Sequence, residues 1–184
     1  MDFAAHRFAE RGFHPTSVAE IVDGMGVGKG VFYWYFGSKE ELLLEILRDA
    51  QTDIRRAQQA VCAPEPDPLR RIAKGIRASM HWLDANRHLC TLIQFASSEE
   101  TFAPAIREGG TVAVADVVRH LQEAIDTGRI APVDPEVLAH CILGVTDNLA
   151  RVLLIHRGQS PDAVADAATS FCFEGLVGVA PAVV

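Results

Sequence analysis

Pro15-Thr-Ser-Val-Ala-Glu-Ile-Val-Asp-Gly-Met-Gly-Val-Gly-Lys-Gly-Val-Phe-Tyr-Trp-Tyr-Phe-Gly-Ser-Lys-Glu-Glu-Leu-Leu43 contains two helix starts and a sharp turn. Ser17 is followed three residues on by Glu20, the spacing of a capping box, so a helix is expected from Ser17 that carries Val18, Ile21 and Val22 inward. Gly24 and Gly26 are expected to end it, because glycine takes the positive φ that a tight interhelical turn demands, with Val27 anchoring the next helix. In that second helix Phe32 and Phe36 lie four apart, with Gly28 one turn earlier, and these three are expected to face the core. Lys29, Gly30, Tyr33 and Trp34 then point outward. One cation and two bulky aromatics on an outer face call for a partner. Tyr and Lys bond phosphate oxygens, and a small residue such as Gly30 lets a helix approach base edges. Ser38 with Glu41 repeats the capping spacing and opens a long helix, whose first turn carries Lys39 beside free backbone N–H groups, a setting that suits a phosphate.

The stretch from Ala5 to Leu43 resembles the DNA-binding domain of the TetR family of transcriptional regulators. The matching residues are Phe8, Gly12-Phe13, Thr16-Ser17-Val18, Ile21, Gly26-Val27, Gly30, Phe32-Tyr33, Tyr35-Phe36, Ser38-Lys39 and Leu42. The resemblance covers roughly a quarter of the chain and implies a dimeric regulator whose recognition helices enter successive major grooves of a palindromic operator, about 34 Å apart. Thr16, Ser17, Gly28, Lys29, Gly30, Val31, Tyr33, Trp34, Tyr35 and Lys39 are the expected DNA contacts. Two departures stand out. Gly28 occupies the place where the family usually has Ser or Thr, and only eleven residues precede Gly12-Phe13, so a basic arm is expected either to be absent or to lie before the given start.

Charge runs against a DNA partner in bulk. The 184 residues carry a formal net charge of −7, and the first fifty hold Arg7, Arg11, Lys29, Lys39 and Arg48 against Asp2, Glu10, Glu20, Asp23, Glu40, Glu41, Glu45 and Asp49. Locally the sign reverses, since Gly24 through Lys39 contains two lysines and no acid. Few phosphate contacts imply a shallow salt dependence and binding by two copies acting together. Cys62, Cys90, Cys141 and Cys172 make no CxxC pair, which argues against a zinc ribbon or redox dithiol and for a reduced, cytoplasmic setting. No apolar run reads as approaching the ~20 residues of a membrane span, and no membrane partner is expected.

Along the chain, Phe3, Ala4, Phe8 and Ala9 mark a first helix closed by Gly12. The helix from Ser38 runs through Leu42, Leu43, Ile46, Leu47 and Ala50, turns polar from Gln51 to Gln59, and stops before the proline-rich stretch 62–68. A domain boundary is expected inside it near Leu47, giving a helix-turn-helix head over 1–47 and a helical ligand-binding and dimerisation domain over 48–184. Further stripes fall at Leu69, Ile72, Ala73, Ile76, Met80 and Leu83; at Leu89, Leu92, Ile93 and Ala96; and from Ile106 to Ile125. Asp134-Pro135-Glu136 and Ser160-Pro161-Asp162 begin two final helices. No alternating strand pattern appears, and the expected fold is all-α with about nine helices.

The last two helices are apolar over more than one face, which suggests a four-helix bundle with a second copy; Leu138, Ile142, Val145, Leu149, Val164, Ala168 and Phe171 are the expected interface, with Leu176 and Val177 further along the stripe. Met80, Leu83, Gln94, Phe95, Val117 and Asn148 are the expected lining of a cavity for a small apolar effector, although such stripes commonly form solid core. A competing reading is a metal-binding protein or hydrolase without DNA, resting on the acidic balance and on His81, Asp84 and His88, spaced to share a helix face. Ser17, His14 and Asp23 do not form a nucleophile set, since Ser17 is accounted for by its cap and no GxSxG elbow is present. The favoured reading is a non-enzymatic repressor with no cofactor and no metal.

Overall fold

The computed structural model describes the backbone of residues 1–178 and the side chains of residues 1–174; Leu176 and Val177 therefore lie outside the described side chains. Among the described residues there are nine α-helices, one π-helical segment and no strand: α1 (Asp2–Arg11), α2 (Val18–Met25), α3 (Lys29–Tyr35), α4 (Lys39–Cys62), α5 (Pro68–Ala85), α6 (Arg87–Ser98), α7 (Ala103–Asp126), α8 (Pro135–Leu149), the π segment Ala150–His156, and α9 (Pro161–Gly178). The chain forms two compact units. One comprises Met1–Asp53 with Asn86–Gly109, the other Ile54–Ala85 with the chain from Gly110 onward. Compactness thus groups α6 with the N-terminal helices, although it lies within the stretch 48–184.

In the first unit α1 packs on α2 and α6, and α2 on α3. Its core holds Phe8, Phe13, Ile21, Val22, Phe32, Leu42, Leu43, Ile46 and Leu47 together with Leu92, Ala96 and Phe102 from further along the chain. The Phe13 ring is the hub, with ring centroids 5.2 Å from Phe8, 5.6 Å from Phe95 and 5.1 Å from Phe102. These tilted and edge-on contacts match the quadrupole preference of aromatic pairs.

Two details of the turn differ from the sequence expectation. Gly24 does not end α2; it is helical, and a Cβ there would lie 1.9 Å from Phe3 Cζ, so its role is to let α1 approach. Gly26 alone makes the turn, at φ 68° and ψ 28°, in the left-handed region where a side chain is disfavoured. Because a Cβ at Gly26 would meet nothing within 4 Å, Gly26→Ala isolates the backbone cost. It should lower stability by about 1 kcal/mol, measured by urea unfolding at constant m; no change would mean the turn readily adopts another conformation.

The second unit buries Ile72, Ile76, Met80, Leu121, Ala139, Ile142, Leu154, Val164, Ala165 and Ala168. α5 packs along α9, tied by Arg77 to Asp162 and Asp166 and by His81 Nε2 to Asp162 at 3.0 Å. Asp134 caps α8 by accepting from the Glu136 and Val137 N–H groups. Here a hydropathy expectation is corrected. Pro135–His156 is 22 residues with a window of mean hydropathy 1.5, long and apolar enough to cross a membrane by length and composition, because its few charged groups are spread apart. The same composition fits a helix that buries one face in this core and keeps a second apolar face outside.

Candidate nucleic-acid interface and effector cavity

α2 starts at Ser17, whose Oγ accepts from the Glu20 N–H at 3.2 Å. The reciprocal half of the box is absent: the Glu20 carboxylate pairs instead with Arg7 and Arg11, both at 3.2 Å, and so offsets one of the two positive charges these residues carry on α1. At α4 both partners cap, Ser38 Oγ accepting from the Glu41 N–H at 3.1 Å and the Glu41 carboxylate from the Gly37 N–H at 2.7 Å. These caps fix both ends of the segment that presents α3.

α3 buries Phe32 and half-buries Phe36 on one side. The other side is open, with Val31, Tyr33, Trp34 and Tyr35 between 50% and 78% exposed. Lys29 and Gly30 are exposed as well, and a Cβ at Gly30 would meet nothing within 4 Å, so no described residue closes this side of the helix to a groove. Gly28 is the N-cap residue of α3, extended at φ −76°, ψ 152° and solvent-exposed, so the expectation that it faces the core is corrected. Having no side chain, it supplies no cap to the first α3 N–H groups, a setting that suits an anion from outside.

Two expected DNA contacts are placed elsewhere. Thr16 is 1% exposed, and its hydroxyl donates to Gly12 O at 2.7 Å. The Lys39 ammonium spends all three of its N–H donors within the chain, on Phe13 O and His14 O at 3.0 Å and Thr16 O at 3.1 Å, and sits 4.5 Å from the Phe13 ring centroid. It is a clamp on the α1–α2 connection. The sequence could not reveal this, because the acceptors are main-chain carbonyls more than twenty residues away. Ser17, Gly28, Lys29, Gly30, Val31, Tyr33, Trp34 and Tyr35 remain together on the exposed side.

In the second unit a cavity of ≈ 490 Å³ is walled by Ile72, Ile76, Val117, Ile142 and Leu143 and rimmed by Arg55, Arg71, Arg119 and His120. Thr146 Oγ1 and His120 Nδ1, both on this cavity, are buried with no hydrogen-bond partner among the described residues. Burial, and then the charges of Arg119 and Arg71, push the His120 pKa down, so the imidazole is neutral near pH 7 and carries one donor and one acceptor. Arg55 grips Asp116 through Nε and Nη2 at 2.7 and 3.1 Å, and Arg71 reaches Glu123 at 2.6 Å. Gln58 donates to Ser79 Oγ at 2.8 Å.

Of the expected lining only Val117 is in this wall. Met80 is fully buried in solid core; Gln94 is exposed and Phe95 packs on Phe13, both in the first unit; Asn148 is exposed and accepts from Arg151 at 2.6 Å. The missed lining comes from the polar end of α4, Arg55, Gln58, Gln59 and Cys62. Their three- and four-residue spacing on one helix face was the available signal, masked by a polarity that reads as solvent-facing.

Burial within the single chain divides the residues expected at a dimer interface. Val164, Ala168 and Ile142 are no more than 3% exposed within the single chain, because they form the α8–α9 packing itself. Leu138, Val145 and Leu149 are half-buried against the same core. Among the described side chains, Phe171, at 65%, and Val137, at 58%, are the large apolar groups left outside on these helices, with Cys141. The expected metal set is divided too. His81 pairs with Asp162 in the second unit, whereas His88 belongs to the first.

A short helix-turn-helix with an unobstructed aromatic and cationic face, followed by a helical unit holding a cavity, defines a DNA-binding transcriptional regulator. The comparisons agree. Residues 1–46, a quarter of the chain, match the family described as bacterial regulatory proteins, tetR family. The HTH-type transcriptional regulator YdgC of Bacillus subtilis is 24% identical over 183 residues, 95% of this chain and 89% of that protein. The HTH-type transcriptional repressor KstR2 of Rhodococcus jostii is 32% identical over 94 residues, which cover 51% of this chain and less than half, 46%, of KstR2. Among solved structures, FadR from Bacillus subtilis in complex with stearoyl-CoA superposes with a TM-score of 0.83 at 20% identity, covering 97% of each chain, a likeness of fold.

Proposed function

We propose that this chain is a repressor that binds a palindromic operator as a homodimer and leaves it when a small amphipathic effector enters the cavity of the second unit. The observation that carries this reading is α4. Its first half contributes Leu42, Leu43, Ile46 and Leu47 to the core behind the recognition helix, and its last turns, from Arg55 to Cys62, line the cavity, so one uninterrupted helix joins the two. A ligand acts only as far as it prefers one position of that helix, and its effect on operator affinity equals that preference. The head is then 1–47, with the ligand-binding and dimerising part after it, and the setting is cytoplasmic. The effector is a molecule with an apolar body for Ile72, Val117 and Ile142 and a polar group for Thr146 and His120. The stearoyl-CoA held by FadR is an amphiphile of this kind.

The test is selection from a random duplex pool at about 100 mM salt, since salt sets the stringency. Enrichment of a palindrome with half-sites about one helical turn apart is expected, after which amphiphiles are screened for release. Enrichment of a single half-site, or none, would overturn the dimeric reading. Within that assay Lys29→Ala should weaken binding to all sequences and reduce the salt slope by about one unit per half-site, and Tyr33→Phe should cost about 1 kcal/mol per half-site. An unchanged slope for Lys29→Ala would remove it from the phosphate contacts.

A further inference from the structure

We propose that Asp2, His6 and His88 form a binding site for a transition-metal dication, of the zinc or nickel class, that joins α1 to α6. Asp2 and His6 are one helical turn apart on the same face of α1, and His88 enters from the first turn of α6, the helix on which α1 packs. One ligand atom from each of the three residues lies within 4.8 Å of the other two, and His6 Nε2 is 3.7 Å from Asp2 Oδ1.

Two imidazoles and one carboxylate are a borderline-soft nitrogen and oxygen set, suited to zinc, nickel or ferrous iron and poorly suited to calcium or magnesium. With bonds of about 2.1 Å, ligand atoms around such an ion stand about 3.0–3.5 Å apart, so the set must close by about 1 Å. Asp2 and His6 are exposed and can rotate to do so while both helix backbones stay in place. The rings of His6 and His88 now stack, with centroids 3.8 Å apart and planes at 18°. Three protein ligands leave a fourth position for water. The consequence is structural. An ion here ties the first helix of the DNA-binding unit to α6, and because it binds only where both helices are docked, it stabilises that unit by mass action.

The experiment uses the full chain without a histidine tag. Zn²⁺ is titrated in competition with a chromophoric chelator, and thermal unfolding is followed with and without the ion. One equivalent should bind at micromolar concentration or tighter and raise Tm. His6→Ala and His88→Ala should each weaken binding at least tenfold, Asp2→Asn less, and His81→Ala not at all. Metal-free unfolding of each variant at the wild-type temperature guards against misfolding. Absence of a stoichiometric ion, or binding that survives both His6→Ala and His88→Ala, overturns the site. Operator selection does not depend on this result, so the repressor reading stands or falls separately.

Discussion

Replacing Lys39 by alanine should destabilise the head while leaving the salt dependence of DNA binding at its wild-type slope. The ammonium is a tripod on the carbonyls of Phe13, His14 and Thr16, and it also faces the Phe13 ring at the hub of the aromatic cluster. Alanine removes all three of these donors, two of which make part-buried bonds. The loss should be about 2–3 kcal/mol, less than three charged hydrogen bonds would give if additive, because the site is partly exposed. For a chain of this size that lowers Tm by about 5–10 °C. Arginine should not restore it, since a planar fork does not replace a tripod on three converging carbonyls. Thermal unfolding and the salt slope of operator binding together decide the matter. A wild-type Tm with a slope reduced by about one per half-site would return Lys39 to the phosphates.

Phe171→Glu should break the proposed homodimer without harming the single chain. Phe171 is 65% exposed on α9, so a carboxylate there leaves the internal packing untouched and should change monomer stability by no more than about 0.5 kcal/mol. Across a two-fold axis the substitution occurs twice, removing two aromatic anchors and burying two like charges. The dimer dissociation constant should rise at least about 100-fold, a cost of about 2.7 kcal/mol, read by sedimentation equilibrium. Operator affinity should fall with it, because each head then binds alone. Maleimide labelling of Cys141, exposed on α8, should accelerate in the variant, whereas Cys90, whose buried thiol pKa is raised to about 11, should stay slow in both. Val164→Glu is the contrast, a fully buried position whose substitution should unfold the chain. A dimer of unchanged affinity after Phe171→Glu would move the interface off this face.

The residues that local chemistry governs were legible. Ser17 and Ser38 cap where their spacing to Glu20 and Glu41 puts them, Asp134 and Pro135 start α8, and Phe32 turns inward while Tyr33 and Trp34 turn out. Each depends on neighbours within one or two turns of helix, a range over which sequence spacing and spatial position are nearly the same. The π segment Ala150–His156 was not legible in that way, since its apolar residues continue the α8 pattern.

The sequence by itself therefore determined an all-helical chain, the helix-turn-helix and its exposed aromatic face, and the family resemblance that follows. Tertiary structure decided the assignments that require distant groups to meet. It sent Lys39 to the carbonyls of 13, 14 and 16, placed α6 with the N-terminal helices, brought His88 to His6, and divided the apolar residues of α8 and α9 between an inner face led by Ile142 and Val164 and an outer one led by Phe171. It also moved the cavity onto the polar end of α4. The reason is common to all of these. Periodicity says that a residue lies on a face, but which neighbour covers that face depends on the packing of helices that are remote in the chain.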